Sequence, residues 1–302
     1  MNYAQLLIPD FSLIFCGYLV CRYTRLNRTV WEQVDALVYY VLFPVLLFYS
    51  VVKSPFDLSS TSNLIIAGWS MCLSGIALAY SLPYWPVLKQ RIQPRQHAAC
   101  AQVAFRFNTF IALGMADRLA GPSGVLLIAV LVGVCVPLLN IAAVWPMVRQ
   151  SKTGFLFELI RNPLIIATAL GLICNMMGVR LPDWITPVFS RMGGASLALG
   201  LMAAGAGLQL SALGKDKLLA TGVLGIRHLC MPLIAWAFAN VFELSSSQTL
   251  ILLIFSGVPT AASGYVLAAR MGYDGAYVAA LITISTLLGM LSLPFALSLA
   301  NS

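Results

Sequence analysis

The sequence predicts an all-α membrane protein, with about ten transmembrane helices in two inverted repeats of five. Three observations carry that prediction. Apolar residues make up 60% of the 302 and charged residues 9%, where an ordinary soluble domain has about 25% charged residues. The apolar residues gather into ten runs of spanning length. Lys and Arg gather in alternate connections between those runs.

One soluble core of this size cannot hide so much apolar surface, so lipid must cover the remainder. A spanning helix takes about 20 apolar residues. The net charge of +8 is no nucleic-acid signal, because the charges sit in short loops rather than along one basic stripe. In a membrane protein such a balance reports orientation instead.

The runs fall near Tyr3–Cys21, Ala36–Val52, Leu64–Pro83, Ala98–Met115 and Gly124–Val148, then Pro163–Met177, Ile185–Leu208, Leu218–Phe242, Gln248–Ala269 and Ala276–Ala300. They are numbered helices 1 to 10. Met1-Asn2-Tyr3-Ala4-Gln5 lacks the basic start of a signal peptide, and no A-x-A-like site ends the first run, so helix 1 is expected to be retained. Trp31, Trp85, Trp145 and Trp184 fall at run ends, where an indole suits the headgroup level. Short connections leave no inserted soluble domain to expect. All seven cysteines lie in apolar segments without a C-x-x-C pair, and read as small buried hydrophobes.

Twelve Lys and Arg residues lie in the connections after helices 1, 3, 5, 7 and 9: Arg22, Arg25, Arg28, Lys89, Arg91, Arg95, Arg149, Lys152, Arg161, Lys215, Lys217 and Arg270. The opposite side holds four, Lys53, Arg118, Arg180 and Arg191. The positive-inside rule then places the odd-numbered loops in the cytoplasm and both termini outside.

Five helices per half invert the second half relative to the first, as in many secondary transporters. The expected units are residues 1–155 and 156–302. Sliding the chain by 151 residues lays Thr109, Gly121, Gly124 and Ala129 on Thr260, Gly272, Gly275 and Ala280, and sets Arg106 against Gly257. In both halves a polar break in the fourth helix precedes a half-helix, a Gly-containing turn and a long apolar helix.

Five short motifs in order make the chain resemble the auxin efflux carrier family, which has many bacterial members. They are Leu42-Phe43-Pro44-Val45-Leu46-Leu47-Phe48 in helix 2, Asn108-Thr109 with Gly114 in helix 4, and Asn162-Pro163-Leu164 at the start of helix 6. Helix 7 has Gly194-Ala195-Ser196-Leu197-Ala198-Leu199-Gly200 with Gly205-Ala206, and helices 8 and 9 have Arg227 with Pro232 and Pro259-Thr260-Ala261-Ala262-Ser263. Met115 and Ser196-Leu197 stand where the family often has Pro. The resemblance implies that helices 4 and 9 are broken and cross near mid-membrane. It implies a scaffold of helices 1, 2, 6 and 7, against which helices 3–5 and 8–10 move, in a fold related to the bile-acid/sodium symporters. It also implies carboxylate substrates, such as auxin, malonate or malate, and a homodimer through the scaffold helices.

Pro259 removes an amide hydrogen and breaks helix 9. Asn108 is suited to cap the half-helix that starts at Thr109. Half-helix N-termini meeting at mid-depth attract carboxylates. A guanidinium within the bilayer must face a cavity or a partner; the planar fork of Arg106 suits a substrate carboxylate, and a structural pair or snorkelling toward the inner face is the other reading of it. The expected substrate-binding residues are therefore Arg106, Asn108, Thr109, Pro259, Thr260 and Ser263. Pro44, Asn162, Pro163, Gly205, Arg227 and Pro232 are expected to be structural or gating residues, with Arg227 suited to bonding the open carbonyls of a broken helix. His228 reads as a satisfied polar residue, His97 as solvent-facing, and Asp10 as structural. Asn140 could bond a neighbouring helix or line the path.

No H-E-x-x-H or D-D-x-x-D string and no clustered carboxylates occur in the apolar runs, so an enzyme is not expected, nor a cofactor or bound metal. The expected function is secondary transport of a small organic anion across a bacterial inner membrane, by alternating access at the helix 4/9 crossing. A sodium-coupled symporter of the bile-acid type and a gated anion channel are the alternatives, and coupling to H+ or Na+ stays open.

Overall fold

The computed structural model describes residues 3–53, 58–86, 92–149, 163–207, 216–261 and 263–301. Every regular element among them is helical. Helix 1 is Tyr3–Tyr23. Helix 2 runs as Arg28–Leu37, a π-helical turn Val38–Leu42 and Phe43–Lys53. Helix 3 is Leu58–Ser81, ending in a 3-10 turn Leu82–Tyr84. Helix 4a is Pro94–Phe105, and Thr109–Arg149 holds both helix 4b and helix 5, divided at Gly121. Helix 6 is Pro163–Met176 and helix 7 is Thr186–Ala206. Helix 8 runs as Lys217–Gly225, a π-helical turn Ile226–Cys230 and Met231–Val241. Helices 9a, 9b and 10 are Ser246–Gly257, Ser263–Arg270 and Gly275–Ser298.

Polar residues begin these helices where the sequence supplies them. Asn27, Asp216, Ser245 and Asp274 accept from backbone amides of the first turn, and Ser245 completes a capping box with Gln248. Each cap satisfies amides that the helix itself leaves open. The two π-helical turns have a common cause. Pro44 and Pro232 each follow one by two residues. Proline lacks an amide hydrogen and crowds the carbonyl four residues back. Widening the preceding turn relieves this, and the amides of Phe43 and Met231 bond five residues back, to Val38 and Ile226.

The protein is an integral membrane protein. Thr61–Tyr84, Val130–Val148, Lys217–Val241 and Gly275–Ser298 are each long and apolar enough to cross a bilayer. Ile66, Trp69 and Leu73 on helix 3, Ile166, Leu170 and Ile173 on helix 6, and Leu229, Leu233 and Trp236 on helix 8 are all exposed. Their spacing of three and four residues makes one outward stripe per helix, the face a lipid solvent accepts.

Helix 1 lies against helix 7, and helix 2 against helices 6 and 7; helices 3, 4, 5, 8, 9 and 10 contact one another. The helix 1–helix 7 contact is a backbone approach. A Cβ on Gly205 would sit 1.8 Å from the Ile14 carbonyl oxygen, and one on Gly17 would sit 1.9 Å from that of Met202. Gly205 is thus a packing residue in the last turn of helix 7. Gly205→Ala is expected to destabilise the fold by about 1–3 kcal/mol, the usual cost of overpacking, read as a lower unfolding temperature in detergent. Equal stability would mean the two helices can separate freely.

One set of contacts joins helix 2 to helix 9b. The Tyr265 hydroxyl donates to Asp35 Oδ1, and Arg28 lies 3.6 Å from Asp35 Oδ2. Arg270 donates to the Glu32 carbonyl at 3.4 Å and stands 5.4 Å from the centre of the Tyr40 ring.

Candidate functional site

The two broken helices meet where the chain leaves helical geometry. Helix 4a stops at Arg106, with ψ 154, and helix 9a stops at Val258, with ψ 153; each of these residues still donates its amide to the carbonyl four residues back. The Asn108 amide donates to the Pro259 carbonyl at 2.8 Å, so the breaks touch. Phe107 and Phe255 pack beside that bond, ring centres 3.9 Å apart. Arg106 therefore corresponds structurally to Val258, one residue on from the Gly257 that the 151-residue slide selects. At the next turn the slide holds: Gly121 and Gly272 both have positive φ, 61 and 75. The first half simply uses one residue more between break and turn.

The carbonyls at the end of helix 9a are covered. Arg227, 1% exposed, donates to the Phe255 carbonyl at 3.2 Å and through Nε to the Val258 carbonyl at 3.0 Å. Ser292 Oγ donates to the Gly257 carbonyl at 2.9 Å. That use of its hydrogen leaves Ser292 to accept from His228 Nδ1, 2.7 Å away. Ser285 Oγ accepts the Thr260 amide at 3.0 Å and lies 2.9 Å from His228 Nε2. The pattern suits a neutral imidazole with its proton on Nδ1. Arg227 and His228 thus serve as the clamp of the helix 9 break, and Thr260 is held within that clamp.

The helix 4 break is built differently. Asn108 Oδ1 accepts the Ile111 amide at 3.2 Å, capping helix 4b. Arg106, 5% exposed, donates to Gln102 Oε1 at 3.0 Å, Asn140 Oδ1 at 3.2 Å and Ser263 Oγ at 3.0 Å. All three partners are neutral. Gln102 in turn donates to the Gly264 carbonyl at 3.1 Å, tying helix 4a to helix 9b.

A cavity of about 60 Å³ lies beside Arg106. A cavity needs roughly 10–15 Å³ on this measure to hold one water, so this one takes a group of a few heavy atoms, the size of a carboxylate. Tyr39, Arg106, Asn108, Thr109, Asn140, Ser196 and Ser263 form its polar lining, and no Asp or Glu lines it among the described residues. Val38, Phe43, Val136, Leu139, Leu201 and Val266 are among its apolar lining. It is bounded by helices 2 and 7 on one side and helices 4, 5 and 9 on the other.

Among the described residues, two donors in this lining are buried without a partner, Asn140 Nδ2 and Ser196 Oγ. Such groups cost about 1–3 kcal/mol each when left unmade. Arg106 explains the first. Its donation to Asn140 Oδ1 fixes the amide orientation and turns Nδ2 away. Three of the five Arg106 N–H groups are engaged among the described residues, so others are free to donate.

Of the residues expected from sequence to bind substrate, Arg106, Asn108, Thr109 and Ser263 line the cavity and Pro259 and Thr260 do not. The Pro259 carbonyl accepts from Asn108, and the Pro259 ring lies against Gly289, where a Cβ would come within 2.5 Å of its Cγ. Pro163 begins the described part of helix 6, and Asn162 lies outside the described residues. The expectation that His97 faces solvent is corrected: it is 7% exposed and its Nε2 lies 2.8 Å from the Ala79 carbonyl, which draws the ring between helices 3 and 4a. Gln102 and Ser196 belong to the site and were not singled out for it; Asn140, expected to bond a neighbouring helix or line the path, accepts from Arg106 on helix 4a and lines the cavity. Their signal is a polar side chain within an apolar run, a costly placement in lipid that calls for a partner or a cavity.

The chain has the same fold as a sodium proton antiporter from Methanocaldococcus jannaschii. The TM-score is 0.61 at 12% identity, covering 99% of this chain and 97% of that one. No curated protein matches the chain. A family model described as membrane transport protein matches residues 86–297, from before helix 4 to the end of helix 10. That match covers most of the chain, so the chain belongs to the membrane transport protein family, the auxin efflux carriers that its motifs resemble.

Proposed function

We propose that the protein is a secondary carrier of a small organic anion, and that its carboxylate group binds Arg106 in the cavity at the helix 4/9 crossing. One observation supports this above the others: among the described residues, a buried guanidinium with only neutral partners shares its cavity with two unpartnered donors, Asn140 Nδ2 and Ser196 Oγ. A carboxylate entering there accepts from all three. It also supplies the negative charge that the site lacks. In this reading the chain crosses a bacterial inner membrane ten times with both termini outside, and helices 3–5 and 8–10 move against helices 1, 2, 6 and 7. The cavity lies between those two groups, as alternating access requires.

The antiporter fold raises the alternative of cation transport. Physical chemistry disfavours it at this cavity. A cation 4 Å from a guanidinium is repelled by about 4 kcal/mol at an effective dielectric of 20, and among the described residues no carboxylate lines the cavity to offset that.

The test is uptake of labelled malonate, malate and indole-acetate into liposomes holding the purified protein, under imposed sodium, proton and voltage gradients. Saturable uptake of at least one is expected. Failure of all three, with the protein folded, overturns the reading. Asn140→Ala is expected to raise the half-saturating concentration by roughly tenfold or more. A hydrogen bond to a charged group contributes about 1.5–3 kcal/mol, and this substitution also frees the Arg106 fork. An unchanged half-saturating concentration would remove Asn140 from the site.

A further inference from the structure

A second cavity lies on the outer side of the molecule, between helices 8 and 10. Its volume is about 690 Å³, and its walls include Lys217, Thr221, Gly225, His228, Leu229 and Leu291. We propose that this groove binds one acyl chain of an anionic phospholipid, with the headgroup phosphate at Lys217. The site is separate from the anion cavity and does not depend on what the protein transports.

Three features select this occupant. The first is solvent. Leu229 is 59% exposed and Leu291 71% exposed, so the rim belongs to the surface that lipid covers. The second is depth. Lys217 begins helix 8 and His228 lies eleven residues on, about 17 Å along a helix. Half the hydrocarbon core is about 15 Å, so a chain anchored at Lys217 reaches His228 near mid-membrane.

The third is charge. Lys217 stands on the side that carries most of the Lys and Arg residues, with Lys215 two residues before it in sequence. The intervening Asp216 is turned to the Leu219 amide as the cap of helix 8. Asp274 is likewise turned to the Tyr277 amide at the start of helix 10. The lysine is therefore the charged group that the groove itself presents. Such a cation near the membrane surface favours an anionic lipid by about fivefold.

The floor of the groove gives the lipid a structural consequence. Gly225 leaves it open, since a Cβ there would meet nothing within 4 Å. Beyond Gly225 the groove reaches His228 and Ser292, the pair that holds the Gly257 carbonyl at the helix 9 break. An acyl chain seated there packs directly on the clamp of that break.

The experiment compares phosphatidylglycerol with phosphatidylcholine of the same acyl chains, added to the full-length protein in detergent. Binding is read by native mass spectrometry and by the unfolding temperature. Wild type is expected to retain phosphatidylglycerol about fivefold more tightly and to unfold at a higher temperature with it. Lys217→Gln is expected to equalise the two lipids. Gly225→Leu fills the groove from a lipid-facing position and is expected to remove the stabilisation by either lipid. Should Gly225→Leu fail to fold, Leu229→Trp at the rim replaces it, with brominated phosphatidylglycerol expected to quench the added indole more than brominated phosphatidylcholine does. Equal binding of the two lipids by wild type overturns the proposal. So does stabilisation by phosphatidylglycerol that survives in both Lys217→Gln and Gly225→Leu, or equal quenching by the two brominated lipids.

Discussion

Arg106→Gln is expected to lower carboxylate uptake by about 100-fold or more while leaving the unfolding temperature in detergent within a few degrees of wild type. Among the described residues, the guanidinium is the one full positive charge of the cavity lining. Losing two charge-assisted hydrogen bonds, at about 1.5–3 kcal/mol each, is enough for that fall. Stability responds differently because Arg106 has no carboxylate partner among the described residues; the two ion pairs there both belong to Arg28. Removing a buried cation relieves a desolvation cost. Its loss also strands the oxygens of Gln102, Asn140 and Ser263, and the glutamine amide can reach part of that set. Arg106→Lys keeps the charge but not the fork, so it is expected to restore uptake only partly. Uptake assays beside thermal unfolding of the same preparations check all of this.

Arg227→Met is expected to do the reverse, destabilising the fold by about 2–5 kcal/mol. The side chain is buried as deeply as that of Arg106, yet it faces the carbonyls of Phe255 and Val258 rather than a cavity. Those carbonyls close helix 9a, where no further amide continues the ladder. Methionine fills the volume and leaves two buried acceptors open, each at about 1–3 kcal/mol. Thermal unfolding and yield of folded protein measure the effect. Unchanged stability would mean the helix 9 break holds itself. Two intramembrane arginines of similar burial thus have opposite expected signatures, one in transport and one in folding.

How much of this the chain discloses before folding differs from residue to residue. Apolar run length locates the helices, because lipid leaves the backbone no other way to satisfy itself. Pro259 and Asn108 announce the breaks through their own chemistry. Arg227 is readable as a clamp because a cation in that setting must find acceptors. The cavity is another matter. Asn140 lies 34 residues from Arg106 and Ser263 lies 157 away, and nothing local in sequence says that these three side chains converge. Ser196 is harder still, a single hydroxyl in a Gly/Ala-rich helix whose composition chiefly reports close packing. The repeat register carries the same lesson. Gly121 and Gly272 align because each turn needs positive φ, whereas the extra residue in the first half-helix moves Arg106 from Gly257 to Val258. His97 shows the converse, a charged-looking boundary residue whose carbonyl partner on helix 3 becomes visible only once the helices pack.

The central claim is that the cavity beside Arg106 holds the carboxylate. Equilibrium binding of labelled indole-acetate, malonate and malate to the purified protein in detergent tests it most directly, with wild type and Arg106→Gln compared at equal folded concentration. The account predicts saturable binding of at least one of them at one site per chain, lost in Arg106→Gln. Binding of the same anion with equal affinity by both proteins would contradict it.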